Sequence, residues 1–462
     1  MQHSPRPRAR RRRSAFVASF WLVAACGSGG AAAPTLDYGG SPTLARAGEP
    51  VSVAPQGTAA SGFTVTPALP TGLVLDAATG VVQGTATATA AVQDYTVRAT
   101  IDGTELTATL RLGVGPALPN EVTSLEHGFA IERIATLLEA PGKFAVAPDG
   151  RLFVTERQSG VIRIVHADGT LQPTPFATLT VTNGNHKGLL GLALSPDFAD
   201  DGRVFALATV PAGGGKPERS VLWRWVEQAG VGTQATVLLD DLPVAALDNG
   251  GALCFDAGGM LFVSIGDVED PALAQDDGSP AGKVLRIDPD DGSAPADNPT
   301  PGSRVFVKGL RNTWALAVEP AAGTLFGADN GPAADDELNL LLPGRNFEWG
   351  AAPDADFGAV TGPLLRHWPD VVVPTGLAFG APDAADWPAT HRGGLFVALY
   401  DEEIVLRLEL SGALRTDIDR EVEFLRLSPN GVANKPVDLL RGPDGALWLL
   451  TFAAVYRIDR IR

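Results

Sequence analysis

Polar and apolar residues alternate with a period of two along much of this chain, the signature of half-buried β-strands. Leu106, Ala108, Leu110 and Leu112 fall on one face of a run whose other positions are Thr107, Thr109 and Arg111, and residues 95–100 alternate in the same way. With turn signals between such runs, residues 37–117 predict a small β-sandwich. From about residue 124 a second pattern takes over: a glycine turn leads into a bulky apolar strand. It recurs as PDGRLFVTE (148–156), DDGRVFALA (200–208), AGGMLFVSI (257–265), AAGTLFGAD (321–329), RGGLFVALY (392–400) and PDGALWLLT (443–451). Repeats about 50–70 residues long, each with several short strands, are the mark of propeller blades that bury one another's faces. The expected fold is therefore all-β, a six-bladed β-propeller over 124–462 behind a small sandwich. The strand from Ala454 to Ile458 is placed to close the ring against an early blade.

The first residues belong to neither pattern. Six arginines, Arg6, Arg8 and Arg10 to Arg13, precede SAFVASFWLVAAC, an apolar run too short to span a membrane as a stable helix. That is the layout of a secretory signal. Val23-Ala24-Ala25-Cys26 followed by a Gly-Ser tether resembles a bacterial lipobox. The resemblance implies that 1–25 is a signal peptide, that Cys26 carries a lipid, and that 26–36 is a tether. The location is then the cell envelope, as a periplasmic or outer-membrane lipoprotein; export through the Sec or the twin-arginine route stays open. Without the six arginines the net charge of −17 becomes −23. So acidic a surface repels nucleic acid and anionic lipid, leaving the anchor on Cys26 as the link to a membrane. Cys254 is then the one other cysteine, in an apolar strand, where a small buried residue is expected and no internal disulfide can form.

Local motifs add resemblances to known families. TPALPTGLVLDAATGVVQGTA (66–86) is similar to the Ig-like repeats of bacterial surface proteins, through Leu69, Pro70, Gly72, Leu73, Leu75, Asp76, Thr79, Gly80, Gly84 and Thr85. A spacer or weak adhesion module is the role this implies, with VGPALPNE (114–121) as the linker behind it. In the second region HKGLLGLALSPDF, LDNGGALCF, AGKVLRIDPDDGSAPADNP, VKGLRNTWALAVEP, GPAADDELNLLLPGRNFEWG and KPVDLLRGPDGALWLLT occur in order. This set resembles the soluble glucose/sorbosone dehydrogenases, six-bladed propellers that use pyrroloquinoline quinone and calcium.

The motifs also have a physical sense. Gly331-Pro332, then Asp335, Asp336 and Glu337, crowd oxygen donors into one turn, as hard cations require. By resemblance the carbonyls of Gly331 and Pro332 hold the quinone's calcium, and Asp336 and Glu337 a structural ion; an acidic solvated loop is the alternative. Arg311-Asn312 matches the family's cofactor-contacting pair, and a guanidinium fork suits a carboxylate-bearing quinone. Lys435 stands where relatives carry a second cation as well.

Two departures stand out. The family's catalytic histidine is Asp248 here, a residue that can take a hydroxyl proton if burial raises its pKa, and equally a common turn residue. His186 and Lys187 replace the usual Gln or Glu and its uncharged neighbour. They are candidates for a compensating base and a carboxylate partner, or are plain solvated surface. His127, His166, His367 and His391 lack motif context and read as structural. The resemblance thus implies an envelope dehydrogenase oxidising an aldose or polyol and passing electrons to an external acceptor. Asp248 and the thin basic lining keep a rival open: a non-catalytic, calcium-stabilised propeller that binds a glycan or protein. A lactonase-like hydrolase ranks behind both.

Overall fold

A computed structural model describes residues 33–40, 42–136, 138–429 and 433–461; the lipobox with Cys26 lies outside them. The architecture is all-β, in two regions. Among the described residues no helix is long and apolar enough to cross a membrane.

The first region is an Ig-like β-sandwich. One sheet joins Thr43–Arg46, Thr104–Gly115, Ala90–Ile101 and Ser61–Thr66, and the other Pro50–Val53, Val82–Thr85 and Leu73–Leu75. The face expected from alternation is the one that packs: Ala108, Leu110 and Leu112 are buried with Tyr95, Val97 and Phe63. The motif glycines have a steric cause. Gly84 pairs with Leu73, and a Cβ on it would collide with the carbonyl oxygen of Gly72.

The second region consists of six sheets. In chain order their first strands are Pro141–Val146, Leu189–Leu194, Leu253–Phe255, Thr313–Val318, Pro374–Phe379 and Pro436–Arg441. Each of the six apolar echoes forms the second strand of its sheet, from Leu152–Glu156 in sheet one to Leu447–Thr451 in sheet six. Five of these strands are buried at every position, which explains why they read as continuous apolar runs rather than alternating ones. One apolar cluster fills the space between each sheet and the next: Phe153, Ile162, Leu192 and Trp225 between sheets one and two, for example. Another joins sheet six back to sheet one, through Trp448, Leu450, Phe144 and Val154. Each fully buried Leu or Phe contributes about 1.5–3 kcal/mol, so this shared packing is what holds the sheets together.

The strand Ala454–Arg460 pairs antiparallel with Phe129–Thr136, which completes sheet six as its outermost strand. Val122–Leu125, just before it, adds a fifth strand to sheet five by pairing with Asp417–Leu427. The sandwich is tied to this corner by Arg46. Its buried guanidinium donates to the carbonyls of Leu125 (2.8 Å), Glu126 (2.7 Å) and Phe129 (3.0 Å).

Candidate functional site

Side chains at one end of the six sheets come from two recurrent places: the approach to each first strand, and the turn after each second strand. His186, Asp248 and Arg311 lie on the approaches to sheets two, three and four; Arg157, Gly331, Tyr400 and Phe452 lie in the turns of sheets one, four, five and six. Together they line a cavity of about 440 Å³, with Asn312, Trp314, Pro332 and Asp336 also on its wall.

The Asp248 loop is fixed from several sides. Asn249 accepts from the amide of Ala245 (2.9 Å) and donates to the carbonyl of His186 (2.7 Å). The Gly250 amide donates to the side-chain oxygen of Asn312 (3.1 Å). A Cβ on Gly251 would strike Leu190, and its φ of +120° suits glycine, so Gly251 lets this loop lie directly against sheet two. Asp248 itself has φ 55° and is buried. Its Oδ2 accepts from Arg311 Nη2 at 2.5 Å, while its Oδ1 is buried without a hydrogen-bond partner, 3.8 Å from His186 Nδ1. Burial raises its pKa against the opposing effect of Arg311, and Asp267 and Glu269 raise it further.

His186 Nδ1 accepts from the amide of Asp248 at 3.1 Å. The neutral ring therefore carries its proton on Nε2 and offers the cavity a donor. Burial lowers its pKa, as do Arg157 and Arg311. Arg311 is held by its own backbone: its amide and that of Asn312 both donate to Asp329, at 2.8 Å each. The guanidinium also donates to the carbonyls of Asn330 and Gly331, at 2.8 Å each. Arg157 contributes a second guanidinium, bonded on one side to the carbonyls of Gly184 (2.9 Å) and Lys187 (3.1 Å).

The structure thus gathers Asp248, His186, Arg311, Asn312, Gly331, Pro332 and Asp336 round one space. Asp336 is engaged by backbone amides on both carboxylate oxygens. Its Oδ1 accepts from the Gly331 amide, and its Oδ2 from the amides of Val372 and Val373, all at 2.8 Å, so it ties sheet four's turn to sheet five. Lys187 is turned away to Glu218, 2.6 Å, and Lys435 is paired with Asp401, 2.8 Å, over the ring of Tyr400. Neither lysine lines the cavity. Glu337 faces an adjoining cavity of about 280 Å³, with Asp329, Asp335 and Glu348, on the far side of Arg311 and Gly331. Burial raises its pKa. His367 lies against Asp335 at 2.7 Å and His391 against Glu126 at 3.1 Å, and neither lines the main cavity.

The sequence reading did not single out Arg157, Trp314, Tyr400 and Phe452. A signal for three of them was present, because each stands at the end of an echo or one residue beyond it, as Asn330 does.

A flat carboxylate-bearing quinone fits the cavity in size, in its aromatic walls and in the two guanidinia of Arg157 and Arg311. For calcium the donors present are oxygens, the right kind. Among the described residues no three His, Cys, Asp or Glu side chains converge as ligands. An ion here would draw on the carbonyls of Gly331 and Pro332 and on water, with Glu337 serving the adjoining cavity.

Known proteins resemble both regions of the chain. The family model "Glucose / Sorbosone dehydrogenase" matches residues 138–457, and "Putative Ig domain" matches 33–114. The aldose sugar dehydrogenase YliI of Escherichia coli is 27% identical over 343 residues, 70% of this chain and 89% of that one. Quinoprotein glucose dehydrogenase B of Acinetobacter calcoaceticus is 28% identical over 265 residues, 51% of this chain and 55% of that one. The structure of the PQQ-bound aldose sugar dehydrogenase of Streptomyces coelicolor superposes with a TM-score of 0.60 at 26% identity, covering 73% of this chain and 99% of that one. The chain belongs to the glucose/sorbosone dehydrogenase family, with an Ig-like domain ahead of the family's own.

Proposed function

We propose that this protein is an exported sugar-oxidising oxidoreductase, an aldose or polyol dehydrogenase on a closed six-bladed propeller. It works with pyrroloquinoline quinone and calcium and passes electrons to an external acceptor. The observation that carries this is the convergence of Asp248, His186, Arg311, Asn312, Gly331 and Pro332, from separate motifs, on one cavity. Closure of the propeller is supported by the pairing of Ala454–Arg460 with Phe129–Thr136 and by the core shared between sheets six and one. An anchor on Cys26 would keep the enzyme at the envelope. Labelling with a fatty acid that is lost in Cys26→Ser tests it.

Arg157, Arg311 and Asn312 would hold the quinone's carboxylates, and the carbonyls of Gly331 and Pro332 its calcium. When bound, the quinone supplies the acceptor for the hydride that leaves the sugar carbon. Trp314, Tyr400 and Phe452 wall the space and exclude water. The hydroxyl proton goes to Asp248 Oδ1, the oxygen Arg311 leaves free. His186, with its proton on Nε2, orients the sugar oxygen as a donor. Its Nδ1 is already committed to the Asp248 amide, which makes it the weaker candidate for the base.

The test is reconstitution with quinone and calcium, followed by dye reduction with a panel of aldoses and polyols. Activity should collapse in Asp248→Ala and fall less in His186→Ala; the reverse order would move the base to His186. Calcium should raise the melting temperature and a chelator lower it. A second reading has one specific observation in its favour, the bond that ties Asp248 to Arg311. It is a calcium-stabilised propeller that binds a glycan or protein without turnover. Quinone uptake absent from calorimetry with calcium present would select it.

A further inference from the structure

The Asp248–Arg311 bond has a bearing on affinity that is separate from catalysis. Two guanidinia face the cavity, and one of them is already neutralised from inside the protein. Arg311 has three of its hydrogen bonds committed, to Asp248 and to the carbonyls of Asn330 and Gly331. Only the partner at Asp248 carries charge. Asp336, the other acid on the wall, has both oxygens tied to backbone amides and does not compete for Arg311. The lysines that could make up the lost charge, Lys187 and Lys435, are bound to Glu218 and Asp401.

We propose that Asp248 is a specificity-determining residue that acts as an internal carboxylate. It occupies Arg311 in the ligand-free protein and so weakens the binding of any carboxylate-bearing ligand in this cavity. A ligand carboxylate that approaches Arg311 must displace Asp248 or share the guanidinium with it, beside a second negative charge in low-dielectric surroundings. This rests on the cavity being the ligand site described above, and it adds that the catalytic carboxylate opposes the cofactor's own charge. The same residue then has two effects of opposite sign: it speeds turnover and it loosens binding.

The experiment measures pyrroloquinoline quinone binding by calorimetry, with calcium and without sugar, so that turnover plays no part. Asp248→Asn keeps the shape and an acceptor for Arg311 but removes the charge, and asparagine tolerates the left-handed backbone of this position. Asp248→His removes the charge with a different shape. Both should bind the quinone at least about tenfold more tightly than the wild type, the scale of one charge-assisted hydrogen bond. Asp248→Asn should at the same time lose turnover. Glu269→Gln is the control. Its carboxylate lies nearby but accepts from the amides of Ala246 and Leu247 rather than from Arg311, and its effect should stay within about threefold. Equal affinity in wild type and both variants overturns the proposal while leaving the oxidoreductase reading intact. So does an equal gain in Glu269→Gln, which would make the effect one of general charge. Binding in the variants but not in the wild type supports the proposal and removes the quinone from the natural protein's function. Failure of all of them to bind overturns both.

Discussion

Two ion pairs of the six-sheet region, one on the wall of the cavity and one lining a different pocket, are built differently. Lys143, in sheet one, meets Asp438, in sheet six, at 3.0 Å, and also donates to the carbonyl of Thr375 in sheet five at 3.1 Å. The second carboxylate oxygen of Asp438 accepts from the Phe144 amide. Every oxygen has a partner, and the partners stand on strands. Arg311 and Asp248 stand on loops, and one oxygen of Asp248 has no hydrogen bond at all. A fully satisfied pair between strands is a joint between sheets. A half-satisfied pair between loops can be remade, and its free oxygen is available for chemistry.

The comparison breaks if the two pairs respond alike to the loss of one partner. Lys143→Met should cost about 3–5 kcal/mol in urea denaturation, because it strands a buried carboxylate. Lys143→Met with Asp438→Leu should recover much of that. Arg46 offers an intermediate case, a buried cation whose main partners are carbonyls. Arg46→Met should cost about 1.5–3 kcal/mol and make the 116–121 linker quicker to cleave by protease. Glu126 sharpens the contrast from the acid side. Its carboxylate meets Arg407 at 3.0 and 3.1 Å and His391 at 3.1 Å, and these partners outweigh burial to hold its pKa at about 2. Because the pKa is lowered, its stabilisation is complete above the unfolded value and is lost as pH falls toward about 2. Glu126→Gln should cost about 1 kcal/mol near neutrality and flatten the acid limb of a stability–pH curve. Asp248→Asn is expected to have the smallest effect, within about 0.5 kcal/mol, since Arg311 keeps an acceptor and a disfavoured buried charge is removed. With its pKa raised, any stability Asp248 contributes is present at low pH and lost as pH rises through its folded pKa, and the variant should lack that slope.

Much of this was legible in the sequence because it is written locally. The six echoes are second strands, and the burial of both faces in five of them leaves a largely apolar run without alternation. Asp248, Arg311 and Gly331 sit within short motifs whose backbone bonds fix them in place, so position in sequence predicted position in space. Lys187 and Lys435 show where that logic ends. Each follows or opens a recognisable motif, yet the direction of a long side chain is set by a distant acid, Glu218 or Asp401, that the motif does not contain. Asp336 was legible as an acid in a turn but not as the acceptor of amides 36 and 37 residues away. The strand at Val122 was equally out of reach, since its partner lies some three hundred residues later, and for the late strand at Ala454 an early partner was legible but not which segment it is.

Those two strands have a consequence for how the molecule is made. Residues 122–136 leave the ribosome early, yet they pair with segments at 417–427 and 454–460, which emerge some three hundred residues later. The Ig-like sandwich, whose strands all lie between residues 36 and 115, can fold as soon as it is synthesised, but sheets five and six must wait for the segments at 417–427 and 454–460. Until then the segment at 122–136 is an unpaired strand pair held beside a finished domain, ready to mispair with a neighbour. Loss of Ala454–Arg460 would strip sheet six of both its outer members, because among the described residues Phe129–Thr136 joins that sheet through Ala454–Arg460 alone.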